Sequence, residues 1–131
     1  MIGLDTNILV RYFTFDHPSQ TARAIEVMDS LTAEEPGFVS LVVLAELVWV
    51  LESAYKLAKH EIVNCLELLL RSKEVKIENA DAAWQALTGF KREGGGYTDR
   101  LIERLGHAAG CEYTVTFDQR AANTAGMKLL R

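Results

Sequence analysis

The sequence predicts an α/β protein, with a parallel sheet flanked by helices. Two observations carry that class: short β-branched runs alternate with longer stretches of helical periodicity along the whole chain, and a composition of 49% hydrophobic and 24% charged residues without low-complexity tracts suits a packed core. Strands separated by helices pair in parallel, because each connection must cross over a face of the sheet. The length of 131 residues fits one domain, 1–131, with no linker.

The elements follow in order. Residues 2 to 5 of "IGLDTNILVRY" fit a short buried strand, and the polar joint Asp5 to Asn7 supplies capping side chains for a helix through about Phe13. A second helix starts near Pro18 and Ser19, where a missing N–H costs least, and Pro36 and Gly37 break the chain after it. "GFVS" reads as a strand entering the helix "LVVLAELVWVLESAY", and "KHEIVNCLELLLRSK" as its partner in a helical hairpin, apolar at Ile62, Val63, Leu66, Leu69 and Leu70. "EVKIE" is a strand, "ADAAWQALTGFKRE" a helix, and Gly94 to Gly96 a loop. Thr98 is the expected cap of a helix with Leu101, Ile102, Leu105 and Ala109 on its apolar face, ended by Gly110. "EYTVTFD" is a strand closing on a carboxylate, "QRAAN" a short helix and "MKLL" a final strand.

Several classes are disfavoured. The longest apolar run, residues 38 to 51, is short for a membrane span and carries Glu46 near its middle. The amino terminus has no secretory pattern, and Gly3 stands one place too late for myristoylation, so the expected location is cytoplasmic. Cys65 and Cys111 lack metal-site spacing and are expected to be packed thiols. A net charge of −4 argues against a broad basic surface for nucleic acid.

The acidic residues carry the chemistry. Ligands of such sheets bind beyond the carboxyl ends of the strands. Asp5 ends the first strand, Asp118 ends a later one and Asp99 opens a helix, so all three are expected on one rim. Glu46 lies among Val42, Val43, Leu44, Leu47, Val48 and Val50, where an unpaired charge is costly. Converging carboxylates repel one another unless a divalent cation reverses the sign. Hard oxygen ligands suit Mg²⁺ or Mn²⁺, and such ions assist phosphodiester hydrolysis without His or Cys.

Together, "LDTNILVRY", "SLVVLAEL" with Ser40 and Glu46, "YTDRLIERLGHAAGC" around Asp99 and "TVTFDQRA" around Thr116 and Asp118 resemble a PIN domain, and more narrowly the VapC-type ribonuclease toxins of type II toxin–antitoxin pairs. The resemblance extends over nearly the whole chain in the correct order. It implies a PIN-like three-layer α/β/α sandwich with a central, mostly parallel sheet, and a Mg²⁺-dependent endoribonuclease, with Mn²⁺ a possible substitute. Asp5, Glu46, Asp99 and Asp118 match the family's acidic positions, Asp5 and Asp99 as direct metal ligands and Glu46 and Asp118 directly or through water. Asn7 would orient Asp5, while Ser40 and Thr116 would support the site by hydrogen bonding. Implied partners are an RNA substrate, a cognate VapB-like antitoxin and a second copy in a homodimer, with no membrane. One departure is Gly96, where relatives often carry a further Asp; this puts a second metal site in doubt.

Without the four site carboxylates the remaining charge is roughly neutral, so phosphate contacts from Arg11, Lys91, Arg92, Arg100 and Arg104 are conceivable, Arg11 and Arg100 lying nearest the proposed site in sequence. Taken singly, Asp5, Asp99 and Asp118 also fit simple helix caps or first-turn acids. His17, His60 and His107 share no ligand spacing and are expected at the surface or in caps; Trp49 and Trp84 are expected in the core or a protein interface. A phosphoryl-aspartate protein would want Asp where Asn7 stands or a Lys placed after Asp118. The alternative within the family is a non-catalytic PIN module acting through protein or RNA binding. The expected self-association surface lies on the helices bearing Leu41 to Tyr55 and Lys59 to Lys73, where Leu66, Leu68, Leu69 and Leu70 exceed one buried stripe.

Overall fold

The computed structural model describes residues 1–131. Its elements run β1 (Ile2–Gly3), α1 (Thr6–Thr14), α2 (Pro18–Ser30), β2 (Gly37–Val39), α3 (Leu41–Ser53), α4 (Lys59–Arg71), β3 (Val75–Ile77), α5 (Ala80–Glu93), α6 (Tyr97–Ala108), β4 (Val115–Thr116), α7 (Gln119–Thr124) and β5 (Lys128–Leu129). Every strand pair is parallel, as the alternation predicts. The chain divides into two compact units, Met1–Glu78 and Asn79–Arg131.

In the first unit the sheet order is β1-β2-β3. Its core gathers Leu4, Leu9, Val39, Leu44, Leu47, Leu51, Ile62, Leu66 and Leu69. Helix α3 shows why the sheet-to-helix joints work. Ser40 leaves β2 in an extended conformation and its Oγ accepts the Val43 N–H at 3.2 Å, while Glu78, just past β3, accepts the Leu41 N–H at 2.9 Å. Pro18 occupies the first turn of α2, and His17 caps that helix through Nδ1, which accepts the Gln20 N–H at 3.3 Å. Helix α4 has no capping side chain at Ala58, and Glu61 reaches back to the Ala58 N–H at 2.9 Å instead.

In the second unit α5 and α6 pack on each other, with Tyr97 fully buried. The Tyr97 hydroxyl donates to the Ala83 carbonyl at 3.1 Å, and its ring meets Phe90 edge-on at 6.1 Å. Burial pushes this phenol above its ordinary pKa. Strands β4 and β5 form a two-stranded sheet, extended on either side by the bonds Lys128 N–H to Thr114 O and Leu130 N–H to Thr116 O, both 2.8 Å.

Trp49, 66% exposed, lies outside the core, which leaves a protein interface of the two places expected for it. Two local expectations are corrected. Helix α6 starts at Tyr97 behind Gly96, so Thr98 lies inside it and caps nothing. Cys111 is exposed in the loop that follows α6 and Gly110, outside any packed helix face, whereas Cys65 is half-buried. No helix is long and apolar enough to cross a membrane.

Candidate functional site

Asp5 stands where β1 becomes α1. The Leu4 N–H still bonds to Phe38 O at 2.9 Å, continuing the pairing with β2, and one residue later Asp5 caps α1, its Oδ1 accepting the Thr6 N–H at 2.7 Å. That bond uses one oxygen of an exposed carboxylate. Thr6 is buried and its hydroxyl donates to Glu46 Oε1. Two acids far apart in sequence are thereby tied through a single threonine, one by its N–H and the other by its hydroxyl. Both line a cavity of about 530 Å³ with Thr6, Asn7, Arg11 and Tyr55.

Glu46 is not embedded among its apolar neighbours. On α3 the buried residues are Leu44, Leu47, Val48 and Leu51, while Val42, Glu46, Trp49 and Ser53 form the outer, exposed face. The carboxylate therefore meets both solvent and the hydroxyl of buried Thr6, and needs no opposite charge beside it. Asn7 sits in the first turn of α1, exposed beside Asp5. Ser40 acts on this arrangement only through α3, since its Oγ accepts a backbone N–H and touches neither acid.

Arg11 contributes a cation to the wall of the same cavity but is already engaged. Its Nε donates to Gln20 Oε1 at 2.7 Å, and Nη1 donates to the Tyr55 hydroxyl at 3.0 Å and to Asp16 Oδ1 at 3.1 Å. The Tyr55 hydroxyl in turn donates to Asp16 Oδ2 at 2.8 Å, and this bond above all holds the Asp16 carboxyl below its ordinary pKa, with Thr14 and Arg11 adding to the effect.

The other two acids belong to the second unit. Asp99 lies in the first turn of α6, half-buried, where a carboxylate favours the helix amino terminus. A side chain at Gly96 would have its Cβ 3.5 Å from Asp99 Oδ2, so an acid there would bear directly on Asp99. Asp118 caps α7, its Oδ1 accepting the N–H groups of Arg120 at 2.8 Å and Ala121 at 3.3 Å, and its own N–H is held by Thr116 Oγ1 at 3.0 Å. Asp118 thus keeps Oδ2 free, and Thr116 fixes the turn that presents it.

Arg100 does not offer itself to a phosphate. It is 8% exposed, its Nε and Nη2 both donate to the Gly94 carbonyl, at 3.0 and 2.8 Å, and the guanidinium lies 3.7 Å from Glu93. Its role is to brace the glycine loop before α6, where Gly94 and Gly95 adopt φ of 79° and 76°.

Thr6 and Glu78 were not singled out by sequence reasoning. Thr6 had a signal, its place between Asp5 and Asn7. Glu78 had none, because its bond to the start of α3 exists only after β3 has paired with β2.

Within either unit, no three His, Cys, Asp or Glu side chains gather into a metal-holding group. The donors present nonetheless suit a hard cation. Asp5 and Glu46 line one cavity with one oxygen of each carboxylate bonded to Thr6, and Mg²⁺ is ordinarily held by one or two carboxylates with waters and substrate phosphates completing its shell.

Parallel strands between helices, with Asp5 and Asp118 at strand-to-helix joints, define an α/β protein whose candidate site is the cavity lined by Asp5 and Glu46. The chain belongs to the PIN-domain family, whose profile matches residues 2–127 and so spans both units. No curated protein matches the sequence. Among solved structures, VapC20 of Mycobacterium tuberculosis, described as a sarcin-ricin loop cleaving toxin, is similar over 100% of this chain and 99% of that one, at 19% identity and a TM-score of 0.47.

Proposed function

We propose that this protein is a metal-dependent endoribonuclease, the toxin of a VapBC-type pair, in which Asp5, Glu46, Asp99 and Asp118 provide carboxylates for Mg²⁺ or Mn²⁺. The observation that carries this reading is the shared cavity of Asp5 and Glu46, joined through Thr6, in a chain of the PIN family. When bound, the cation supplies Lewis-acid stabilisation of a phosphoryl oxygen and lowers the pKa of a water nucleophile. The chain's own residues orient and hold. Thr6 fixes one oxygen of Asp5 and one of Glu46, Asn7 in the same first turn orients Asp5, and Thr116 sets the backbone from which Asp118 projects.

The same reading assigns a cognate VapB-like antitoxin as inhibitor, a cytoplasmic location and a homodimer. Leu68, 48% exposed beside buried Leu66 and Leu69 and half-buried Leu70, is the apolar residue to test for self-association. The deciding experiment incubates a labelled mixed RNA pool with purified protein in Mg²⁺, in Mn²⁺ and in EDTA, beside folded Asp5→Asn and Asp99→Asn variants. Cutting that needs metal and disappears in both variants is expected. Absence of cutting by the wild type, freed of any partner, favours the non-catalytic module.

A further inference from the structure

Arg11 lines the cavity of Asp5 and Glu46 yet bonds to neither acid. Opposite charges on one cavity attract, so an unrestrained guanidinium would close on those carboxylates. Three acceptors hold it off. Gln20 Oε1 takes the Nε hydrogen, and the Nη1 hydrogens go to Asp16 Oδ1 and the Tyr55 hydroxyl. The acceptors are themselves anchored, since the Tyr55 hydroxyl donates to Asp16 Oδ2 and Thr14 Oγ1 donates to Asp16 Oδ1 at 3.1 Å. The backbone builds this cluster. Phe15 closes α1 at φ 58°, a left-handed conformation costly for a residue with a side chain, and the turn brings Asp16 and, in the first turn of α2, Gln20 back beside Arg11. The Thr21 hydroxyl adds a bond to the Arg11 carbonyl at 3.0 Å. All these residues belong to the first unit. With Nε and Nη1 occupied, Nη2 alone makes no hydrogen bond.

We propose that Arg11 is a catalytic residue of the ribonuclease site, its Nη2 donating to a nonbridging oxygen of the scissile phosphodiester, and that Gln20, Asp16 and Tyr55 are positioning residues that keep it from the carboxylates. The inference rests on the ribonuclease reading and adds the group that meets the phosphate's negative charge. Acids and a guanidinium held unpaired on one cavity suit a ligand of both signs, a cation for the carboxylates and a phosphate for the arginine, whereas pairing between them would disable both. Asp16 offsets the charge of Arg11, so the contribution is a directed hydrogen bond rather than a long-range pull on the strand. Such a bond matters most where charge develops on the phosphoryl oxygens, in the transition state.

The test has three readouts, each on variants whose folding is checked by circular dichroism: Mn²⁺ binding by electron paramagnetic resonance without RNA, retention of the labelled RNA pool in EDTA, and the single-turnover rate of cutting that pool in Mg²⁺ at saturating protein. Arg11→Gln is expected to lose roughly 10²- to 10³-fold in rate while RNA and Mn²⁺ affinities stay near wild type. Arg11→Lys, which lacks the planar fork that the three acceptors hold, should not recover the rate. Gln20→Leu combined with Tyr55→Phe frees Arg11 to close on Asp5 and Glu46, so Mn²⁺ affinity should fall together with the rate. Adding Arg11→Gln to that pair should restore Mn²⁺ affinity, which mere loss of packing would not do. A full rate in Arg11→Gln, or weaker RNA retention with the rate intact, overturns the catalytic role and leaves the nuclease standing. Mn²⁺ affinity unmoved by freeing Arg11 overturns the positioning. No cutting by the wild type removes the ribonuclease reading and this proposal with it.

Discussion

Replacing Thr6 by valine separates the orientation of Glu46 from the stability of the fold. Thr6 is 6% exposed, so valine occupies nearly the same space and the packing beneath α1 is retained. The loss is the hydroxyl that donates to Glu46 Oε1. Because Glu46 is exposed, water replaces the donor, and the stability loss should be about 1 kcal/mol, near the neutral hydrogen-bond value and below that of a buried charge-assisted bond. In a chain of this size that lowers Tm by roughly 3–6 °C. The functional loss should be larger, because partners that orient metal-binding carboxylates commonly contribute roughly 10- to 100-fold in affinity or activity. Mn²⁺ titration followed by electron paramagnetic resonance, with denaturant unfolding alongside, reads the two effects separately. Thr6→Ser restores the hydroxyl but deletes a methyl, at about 0.8 kcal/mol, so it should be destabilised comparably while keeping Mn²⁺ affinity. A Thr6→Val protein that binds Mn²⁺ as tightly as wild type refutes the role given to Thr6.

Further outcomes are expected from other sites. Asp5→Asn keeps an oxygen for the Thr6 N–H and should unfold within a few tenths of a kcal/mol of wild type, whereas Asp5→Ala should lose about 1 kcal/mol, although neither should cut RNA; equal stability of the two would deny the cap. Tyr97→Phe should cost about 1 kcal/mol through the lost bond to Ala83, and Tyr97→Ala roughly 3–5 kcal/mol through the void against Phe90, as measured by urea unfolding. Burial, aided by Glu61, pushes the Cys65 thiol up to about 11, so at neutral pH iodoacetamide should label exposed Cys111 well before Cys65, and urea should erase the difference. The Asp16 carboxyl is held below its ordinary value of 3.8 chiefly by the Tyr55 hydroxyl, so its contribution to stability is present above that value and lost as pH falls through the lower folded pKa. In Tyr55→Phe the Asp16 titration, followed by NMR, should move up toward 3.8; an unmoved midpoint would assign the shift elsewhere.

Legibility differed between elements for physical reasons. Helix starts at Pro18 and after Asp5 and Asp118 were readable because capping and proline effects act within a few residues. The start of α6 was misassigned to Thr98 because a hydroxyl is a good local cap, yet the chain enters the helix from Gly96 as Tyr97 goes into the core. The outward face of α3 was hidden because apolar residues occur on all its sides, which leaves no strong period to show that Val42, Glu46 and Trp49 look outward. Arg100 read as a free cation, since its commitment to Gly94 depends on the path of the loop before it.

The sequence by itself determined the α/β class, the parallel pairing, the family and the identity of the candidate acids, because periodicity, capping chemistry and motif order are written in neighbouring residues. Only the tertiary structure decided that Glu46 faces a cavity shared with Asp5, that Thr6 ties the two and that Glu78 caps α3. Those outcomes depend on which side of each helix or strand reaches the core. Burial of many residues at once settles that choice, and no local stretch of sequence encodes it alone.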